Sequence, residues 1–448
     1  MPTYRDLVIA AAGLLLLPFV LSVLGLGVTS ATEVVVFAIA CMGLNILVGY
    51  TGLTSFGHGA WFGFAAYAAG LAQLTYFPGQ MLLPLVSGLL TVAVFAFCFG
   101  FLILRRRGVY FSLLTLALSA MLYTIAFRWT DLTGGENGLG GIKRPVFAGL
   151  SFESASTYYG LVAIIGALTV LALWTFHRSA AGTVLIAIRE NEQRAQFLGY
   201  PTNRYKLLAF TISASIAGLA GMLLLFNNRM TSADPISVAF SGELLAMVII
   251  GGSRSFLGPA LGALFFVIFR DYLSSIQAYP FISENWLFYF GLLFVAFIVL
   301  SPTGLVGLGT RLLAPFRKEA TEDAAMSARQ AGAVDLPAFL KPQDQASGPI
   351  LAVEGIAKSF GGIKAVRGIS FAVRDRTLHA LIGPNGAGKT TAFNLVSGMF
   401  APDTGSVQLS GRSIGGLQPA AITRAGIGRS FQITNLFPTL SVAENVRL

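Results

Sequence analysis

Charged residues are scarce in this chain of 448 residues: they make up 11% of the sequence, whereas hydrophobic residues make up 55%. A soluble domain usually carries about 25% charged residues, so the composition excludes an ordinary soluble protein and predicts that much of the chain faces lipid. Cysteines are also rare, since only Cys41 and Cys98 are present and both lie within apolar runs. They indicate neither a disulfide framework nor a metal site.

The formal net charge of +10 is compatible with nucleic acid or with an anionic membrane surface. Most of the arginines stand in short connections between apolar runs, a pattern that reports membrane topology. We therefore interpret the positive charge as an orientation signal and expect no nucleic-acid partner.

Ten apolar runs indicate a polytopic helical membrane domain, because most of them approach the ~20 residues that a helix needs to cross a bilayer. The first run is longer than the apolar region of a signal peptide and leads into further runs, which favours a first membrane helix. The eighth run is short and predicts either a broken or a re-entrant helix. The runs are Leu7–Val28, Val34–Tyr50, Phe56–Phe77, Met81–Leu104, Val109–Phe127, Tyr158–Phe176, Leu207–Phe226, Phe240–Gly251, Phe256–Leu273 and Trp286–Leu300.

Basic clusters orient these runs. They lie at residues 105–107, 178–206 and 311–318, and alternating spans place all three clusters and both termini on one side. The positive-inside rule makes that side the cytoplasm.

The connection His177–Lys206 is polar but has helix-forming residues, with apolar positions that include Val184, Ile188 and Leu198. This pattern predicts an amphipathic cytoplasmic helix that ends at Gly199. A solvated surface loop is the alternative.

The composition changes after residue 312. Residues 1–312 form the predicted membrane domain, residues 313–348 are predicted to be a flexible linker rich in polar residues and alanine, and residues 349–448 show an α/β pattern. The expected fold class is therefore a helical polytopic membrane domain of about ten spans followed by an incomplete α/β domain.

A glycine-rich loop of sequence GPNGAGKTT dominates this second part. It follows Thr377–Ile382, which resembles a buried strand, and precedes the helical sequence Ala392–Ser397 with Gly398 as its C-cap. Strand, loop and helix in this order predict a phosphate-binding P-loop for ATP. Backbone amides and a lysine would bind the phosphates, and a threonine hydroxyl would hold Mg²⁺. The predicted nucleotide-binding residues of the loop are Gly383, Pro384, Asn385, Gly386, Ala387, Gly388, Lys389, Thr390 and Thr391, with Thr390 as the Mg²⁺ ligand.

Several motifs resemble branched-chain amino acid ABC importers. In the second part they are Phe360–Gly361–Gly362, the P-loop, Arg429-Ser430-Phe431-Gln432 and LFPTLSVAENV, which resemble the G-type ATPase. In the first part they include GLTSFGHGAWFGFAAY, LTGGENGLGGI, AIREN and IIGGSRSFLGPALGA, which are similar to the M-type permease.

The resemblance implies roles for individual residues. Phe360 would stack on adenine, and Gln432 would contact Mg²⁺ and the attacking water; the plainer alternatives are a core phenylalanine and a surface glutamine. The helix at Ala187–Gly199 would be the coupling helix that docks on the ATPase. Its predicted residues are Arg189, Glu190, Glu192, Ala195 and Gly199.

The resemblance also implies a multi-component machine in the bacterial inner membrane with a cytoplasmic ATPase. Its expected partners are an H-type permease, an F-type ATPase and a periplasmic amino-acid-binding protein. The signature motif, the Walker B carboxylates and the switch histidine do not follow Gln432. We therefore expect that the 448 residues alone do not hydrolyse ATP, as in a fragment or a truncated product.

Alternatives remain at this stage. Urea, short amides or other amino acids could be the cargo, and an ABC exporter or a non-hydrolysing membrane regulator would share some features. Polar residues in the apolar runs are candidates for a gate or for helix packing; they are Asn45, His58, Glu243, Arg270 and Asp271.

Overall fold

The computed structural model describes residues 2–106, 108–144, 146–147, 150–275, 280–301, 303–313, 348–430 and 436–448. Every one of the ten apolar runs contains a helix. The helices of the first 313 residues are α1 (Tyr4–Val23), α2 (Val28–Asn45), α3 (His58–Thr75), α4 (Leu82–Ile103), α5 (Val109–Arg128), α6 (Thr130–Thr133), α7 (Ala155–Arg178), α8 (Ala180–Phe197), α9 (Thr202–Asn228), α10 (Val238–Gly251), α11 (Gly258–Ser274), α12 (Pro280–Glu284), α13 (Trp286–Leu300) and α14 (Gly304–Leu313). A π-helical turn, Ile46–Thr51, continues α2, and β1 (Val146–Phe147) pairs antiparallel with β2 (Leu150–Ser151).

The number of membrane spans is smaller than predicted. Among the described residues, six helices are long and apolar enough to cross a membrane, or up to seven if the bent pair Trp286–Leu300 and Gly304–Arg311 forms one span. The prediction of about ten spans overcounted because several apolar runs form short helices. α10, α11 and α13 have 14, 17 and 15 residues, fewer than the ~20 that a straight span requires.

Helix α9 forms the centre of the membrane part, where it packs against α2, α3 and α4. Small residues along α9 allow this close approach. At Gly221 a β-carbon would lie only 1.9 Å from the carbonyl oxygen of Phe62. Phe210 and Phe226 of the same helix are fully buried and fill the space on either side.

Several polar residues of the apolar runs contact neighbouring helices. His58 is buried, and its Nε2 lies 2.9 Å from Ser213 Oγ, which donates to the carbonyl oxygen of Gly43. Arg270 contacts both Glu33 of α2 and the neighbouring Asp271. These contacts join α2, α3, α9 and α11 and therefore favour the packing interpretation.

The chain divides into two compact units. The first contains residues 1–190, 202–316 and 437–447, and the second contains residues 191–201, 317–436 and 448. Except at its two ends, the predicted linker at 313–348 lies outside the described residues.

The second unit contains a four-stranded antiparallel sheet of order β4-β3-β5-β6. Its elements are β3 (Pro349–Phe360), β4 (Ile363–Arg374), α15 (Lys389–Val396), β5 (Thr404–Leu409), β6 (Arg412–Ser413) and α16 (Pro419–Ala425). The last described helix, α17 (Val442–Arg447), belongs to the first unit. Alternating residues of the sheet, including Val353, Val366 and Val407, form a core with Leu395 of α15 and Ile422 of α16. This core fixes α15 and α16 against one face of the sheet.

The predicted buried strand at Thr377–Ile382 was wrong. These residues form no ladder, and Leu378 and Ile382 are 100% and 90% exposed. The four strands of the described sheet pair with one another and not with this segment, which contacts β4 through side chains such as the stacked rings of His379 and Phe371. An apolar run becomes a buried strand only where a neighbour supplies hydrogen-bonding partners.

Candidate functional site

The glycine-rich loop at residues 383–391 begins a helix, as the sequence predicts. Gly386 and Gly388 both have φ of +84°, a left-handed conformation that favours glycine. Gly388 also passes close to β4, since a β-carbon there would lie 2.4 Å from the carbonyl oxygen of Ala365. At Gly386 a β-carbon would meet nothing within 4 Å, so the outer side of the loop is open.

Lys389 is the first residue of α15, and its ammonium group lies over the loop that precedes it. Nζ donates to the carbonyl oxygen of Pro384 at 2.7 Å and to that of Gly383. Thr390 is exposed in the first turn of the helix. An open loop, a helix N-terminus and a mobile cation suit the phosphate groups of a nucleotide. Thr390 is in a position to hold a Mg²⁺ bound with them.

Gly398 ends α15 as predicted. Its φ is +77°, its N–H donates to the carbonyl oxygen of Leu395, and the next amide, Met399 N, donates to Asn394. This pair of bonds is the Schellman arrangement. The P-loop helix is therefore short and has a defined end.

Phe360, the predicted adenine platform, ends β3 and is 42% exposed. Its ring meets Phe400 edge to face, with centroids 5.1 Å apart. Behind it, Asp403 accepts from Lys358 Nζ at 2.6 Å and from the amide of Ser359 at 2.8 Å. The hydrogen bond from Lys358 and that from the Ser359 amide lower the pKa of Asp403. An exposed aromatic ring on an anchored strand end is suited to stacking on a base.

The predicted coupling helix is present but divided. Inside α8, Asn191 has φ −157° and ψ +94°, which interrupts the helix. Asn191 Oδ1 accepts from the amide of Arg194 at 2.9 Å, so this side chain caps a second, shorter helical segment. Gly199, with φ of +93°, ends that segment with bonds from its own amide and from that of Tyr200.

The segment 191–201 belongs to the second unit and is held by α16. Thr423 Oγ1 donates to the carbonyl oxygen of Phe197 at 3.1 Å, and Arg424 Nη2 donates to that of Gly199 at 2.9 Å. These are carbonyls at the C-terminal end of a helix, where a cation is favourable. Of the predicted residues in this segment, Ala195 is fully buried and Glu192 is half-buried.

Arg429 links the same segment to the P-loop helix. Its Nη1 donates to Asn394 Oδ1 at 2.8 Å and to Ser397 Oγ at 2.7 Å, both in the last turn of α15 and its cap. Its guanidinium carbon lies 5.1 Å from the centroid of the Phe197 ring, within the range of a cation–π interaction. Burial lowers the pKa of Arg429, but a guanidinium stays charged at any physiological pH.

Arg189 and Glu190 belong to the first unit. Arg189 Nη1 donates to the carbonyl oxygen of Gly49 in the π-helical turn after α2, and Nη2 lies 3.6 Å from Glu190 Oε1. The five predicted coupling residues are thus divided between the two units at Asn191. The sequence pattern contained no signal for this division.

Gln432 lies outside the described residues, as do its neighbours at 431–435. Its role therefore stays a prediction.

The residues that sequence reasoning missed are Phe197, Asn394 and Ser397, whose connection depends on Arg429. Only the position of Arg429 beside the Gln432 motif could have suggested it.

Comparison with protein families gives two matches. Residues 27–300 match the family described as branched-chain amino acid transport system / permease component. Residues 366–447 match the ABC transporter family.

Individual relatives match the same two parts. The first is similar to the high-affinity branched-chain amino acid transport system permease protein LivM of Escherichia coli K12, with 31% identity over 301 residues, covering 62% of this chain and 69% of the relative. The second is similar to the high-affinity branched-chain amino acid transport ATP-binding protein LivG of Salmonella typhimurium, with 45% identity over 100 residues. That match covers 22% of this chain and 39% of the ATP-binding relative.

Proposed function

Because the chain belongs to the family of permease components of branched-chain amino acid transport systems, we propose that it is the permease and ATP-binding subunit of an importer. The cargo would be branched-chain amino acids, carried inward across the bacterial inner membrane. The names of the two kinds of relative support this cargo. The basic residues at 105–106, 178–206 and 311 favour a cytoplasmic ATP-binding part.

One observation carries the proposal. Residues 191–201 lie within the permease-family match, but they belong to the same compact unit as the P-loop helix. Arg429 contacts Phe197 from the permease part and Asn394 and Ser397 from the P-loop part. A membrane protein that only bound nucleotide would not need this connection.

The P-loop residues would bind ATP and Mg²⁺. Lys389 would exchange its bonds with the carbonyls of Gly383 and Pro384 for phosphate oxygens, and Thr390 would hold the metal. Phe360 would stack on the adenine, and Gln432 would lie beside the metal. Hydrolysis of the bound ATP in the complete assembly would supply the free energy for transport.

The connection to the membrane part would begin at α15. A displacement of its last turn would move Arg429 and, through the Phe197 ring, the segment 192–197. Arg189, on the other side of Asn191, holds the carbonyl oxygen of Gly49 at the end of α2. We propose that this route joins nucleotide binding to the helix that precedes Gly49. The complete machine would require a second permease, a second ATPase and a binding protein that delivers the amino acid.

The test is uptake into proteoliposomes that contain the chain with its partner subunits. Radiolabelled leucine, isoleucine and valine should accumulate only with ATP on the side of the P-loop and binding protein on the other side. Lys389→Ala should abolish uptake, and Lys364→Ala, at an exposed position of β4, should preserve it. Uptake of urea in place of amino acids would change the proposed cargo, and no uptake of any amino acid by an assembly that hydrolyses ATP would overturn the importer.

A further inference from the structure

An apolar groove of about 360 Å³ lies in the first unit, between α1 and the helices α2, α7 and α11. Helix α1 packs against α2 and α7, and the groove separates it from α11. Its lining is almost wholly aliphatic, and it includes Ile9, Leu14 and Leu17 of α1, Val34 and Ile39 of α2, and Leu261 of α11. The groove is therefore suited to a hydrocarbon chain.

The length of the groove is about half the thickness of the membrane. Along α1 its lining extends from Asp6 to Leu17, which at 1.5 Å per residue is about 16 Å. The hydrocarbon core of a bilayer is ~30 Å thick, so this length matches one leaflet. A further membrane helix would need the full thickness, whereas a single acyl chain would not.

A second cavity of about 330 Å³ adjoins one end of the groove, because Asp6 and Ser255 line both. This second cavity is more polar than the groove, and its lining includes Tyr50, Arg189 and Arg254. Burial lowers the pKa of Arg189, and the neighbouring Arg254 guanidinium lowers it further. An anion between these two cations would relieve their repulsion.

Two carboxylates lie near these cations, and neither forms an ion pair with Arg254 in the part of the chain that the structure describes. Asp6 Oδ2 accepts from the amide of Thr3 at 2.6 Å and from Thr3 Oγ1 at 3.0 Å, so its carboxylate caps α1. Glu190 lies 3.6 Å from Arg189. Arg254 lines the cavity and is exposed to solvent, so it is accessible to a ligand.

We propose that the two adjacent cavities form a binding site for one anionic phospholipid. Its phosphate would lie between Arg189 and Arg254, and one acyl chain would follow the groove along α1 towards Leu17. The cationic cavity lies at the end of an apolar groove whose length matches one leaflet. In an anionic phospholipid the charged headgroup lies at the end of the acyl chains in the same order. The lipid would thus bind beside the residues that hold the end of α2 to α8.

The test is lipid retention by the full chain. The protein is reconstituted in nanodiscs that contain equal amounts of phosphatidylglycerol and phosphatidylethanolamine, mildly delipidated, and analysed by native mass spectrometry. The wild type should retain one phosphatidylglycerol in preference to phosphatidylethanolamine. Arg254→Gln should lower this preference roughly fivefold, the effect of one basic residue near an anionic lipid, and Arg254→Lys should preserve it.

A second variant tests the groove. Gly13 lines the groove, and a β-carbon there would meet nothing within 4 Å, so Gly13→Leu should fill the space and prevent retention of either lipid. Gly291→Leu is the matched control, since Gly291 of α13 is equally open and lies elsewhere. Equal retention of the two lipids by the wild type, or unchanged retention by Gly13→Leu, would overturn the proposal. If the mass spectrum instead shows a dimer of the chain without bound lipid, the groove binds a second copy of the chain, and the lipid proposal is overturned.

Discussion

The guanidinium carbon of Arg429 lies 5.1 Å from the centre of the Phe197 ring, while its Nη1 donates to Asn394 and Ser397 at the end of the P-loop helix. One side chain therefore contacts both the nucleotide-binding part and the segment 191–201. Hydrogen bonds to a charged group are worth about 1.5–3 kcal/mol each, and the partial exposure of Arg429 lowers that contribution. The cluster connects the end of the P-loop helix directly to the Phe197 ring.

We predict that Arg429→Ala uncouples the two parts. Uptake should fall at least about tenfold, because Phe197 and the last turn of α15 lose their common partner, whereas affinity for a fluorescent ATP analogue should change less than about twofold. Arg412→Ala, at an exposed position of β6, is the control. A double-mutant cycle of Arg429→Ala with Phe197→Leu should give a coupling energy of about 0.5–2 kcal/mol. Additive effects would contradict a direct interaction.

The cap at Asn191 gives a second prediction. Asn191→Ala removes the acceptor of the Arg194 amide and should destabilise the segment 192–197 by about 1 kcal/mol. Faster hydrogen exchange of the amides at 193–197 would report this loss. Asn191→Asp keeps an acceptor and should exchange like the wild type. If Asn191→Ala exchanges no faster, the cap does not hold this segment.

Alanine substitutions at two glycines of the P-loop distinguish the cost of backbone strain from the cost of a steric clash. Both have φ of +84°, but only at Gly388 would a β-carbon lie 2.4 Å from a backbone oxygen, that of Ala365. Gly386→Ala should cost about 1–2 kcal/mol of strain alone, whereas Gly388→Ala should cost clearly more and weaken nucleotide binding. Chemical denaturation of the full chain in detergent measures both costs. Equal costs for the two variants would show that the loop moves away from β4 freely.

The Asp403–Lys358 pair predicts a pH dependence. Its hydrogen bonds lower the pKa of Asp403 in the folded chain, so the carboxylate stabilises the fold above its unfolded pKa of about 3.9. That contribution is lost as the pH falls through the lower folded pKa. In Asp403→Asn, the free energy of unfolding should therefore decrease less on acidification than in the wild type. The same decrease in both chains would exclude this pair as a source of acid sensitivity.

Local signals predicted much of this molecule correctly. The helical content of the apolar runs, the helix over residues 180–197 with its end at Gly199, and the loop and helix at 383–396 follow from periodicity and from glycine at defined positions. These features depend on residues that are close in sequence. The number of membrane spans was overpredicted because an apolar run is as typical of a short helix buried among other helices as of a helix that crosses the membrane.

By itself the sequence determined that this is a helical membrane protein with a P-loop. The signals for this conclusion are the composition, the length of the apolar runs and the spacing of the glycines, and they can be read without knowing which distant segments are in contact. Only the tertiary structure decided that α8 breaks at Asn191, that Arg429 joins Phe197 to α15, and that Thr377–Ile382 is exposed. Each of these depends on which distant segments meet. Helices α9 to α14 all lie between Phe197 and Arg429 in the sequence, and no periodic pattern encodes the contact of these two residues.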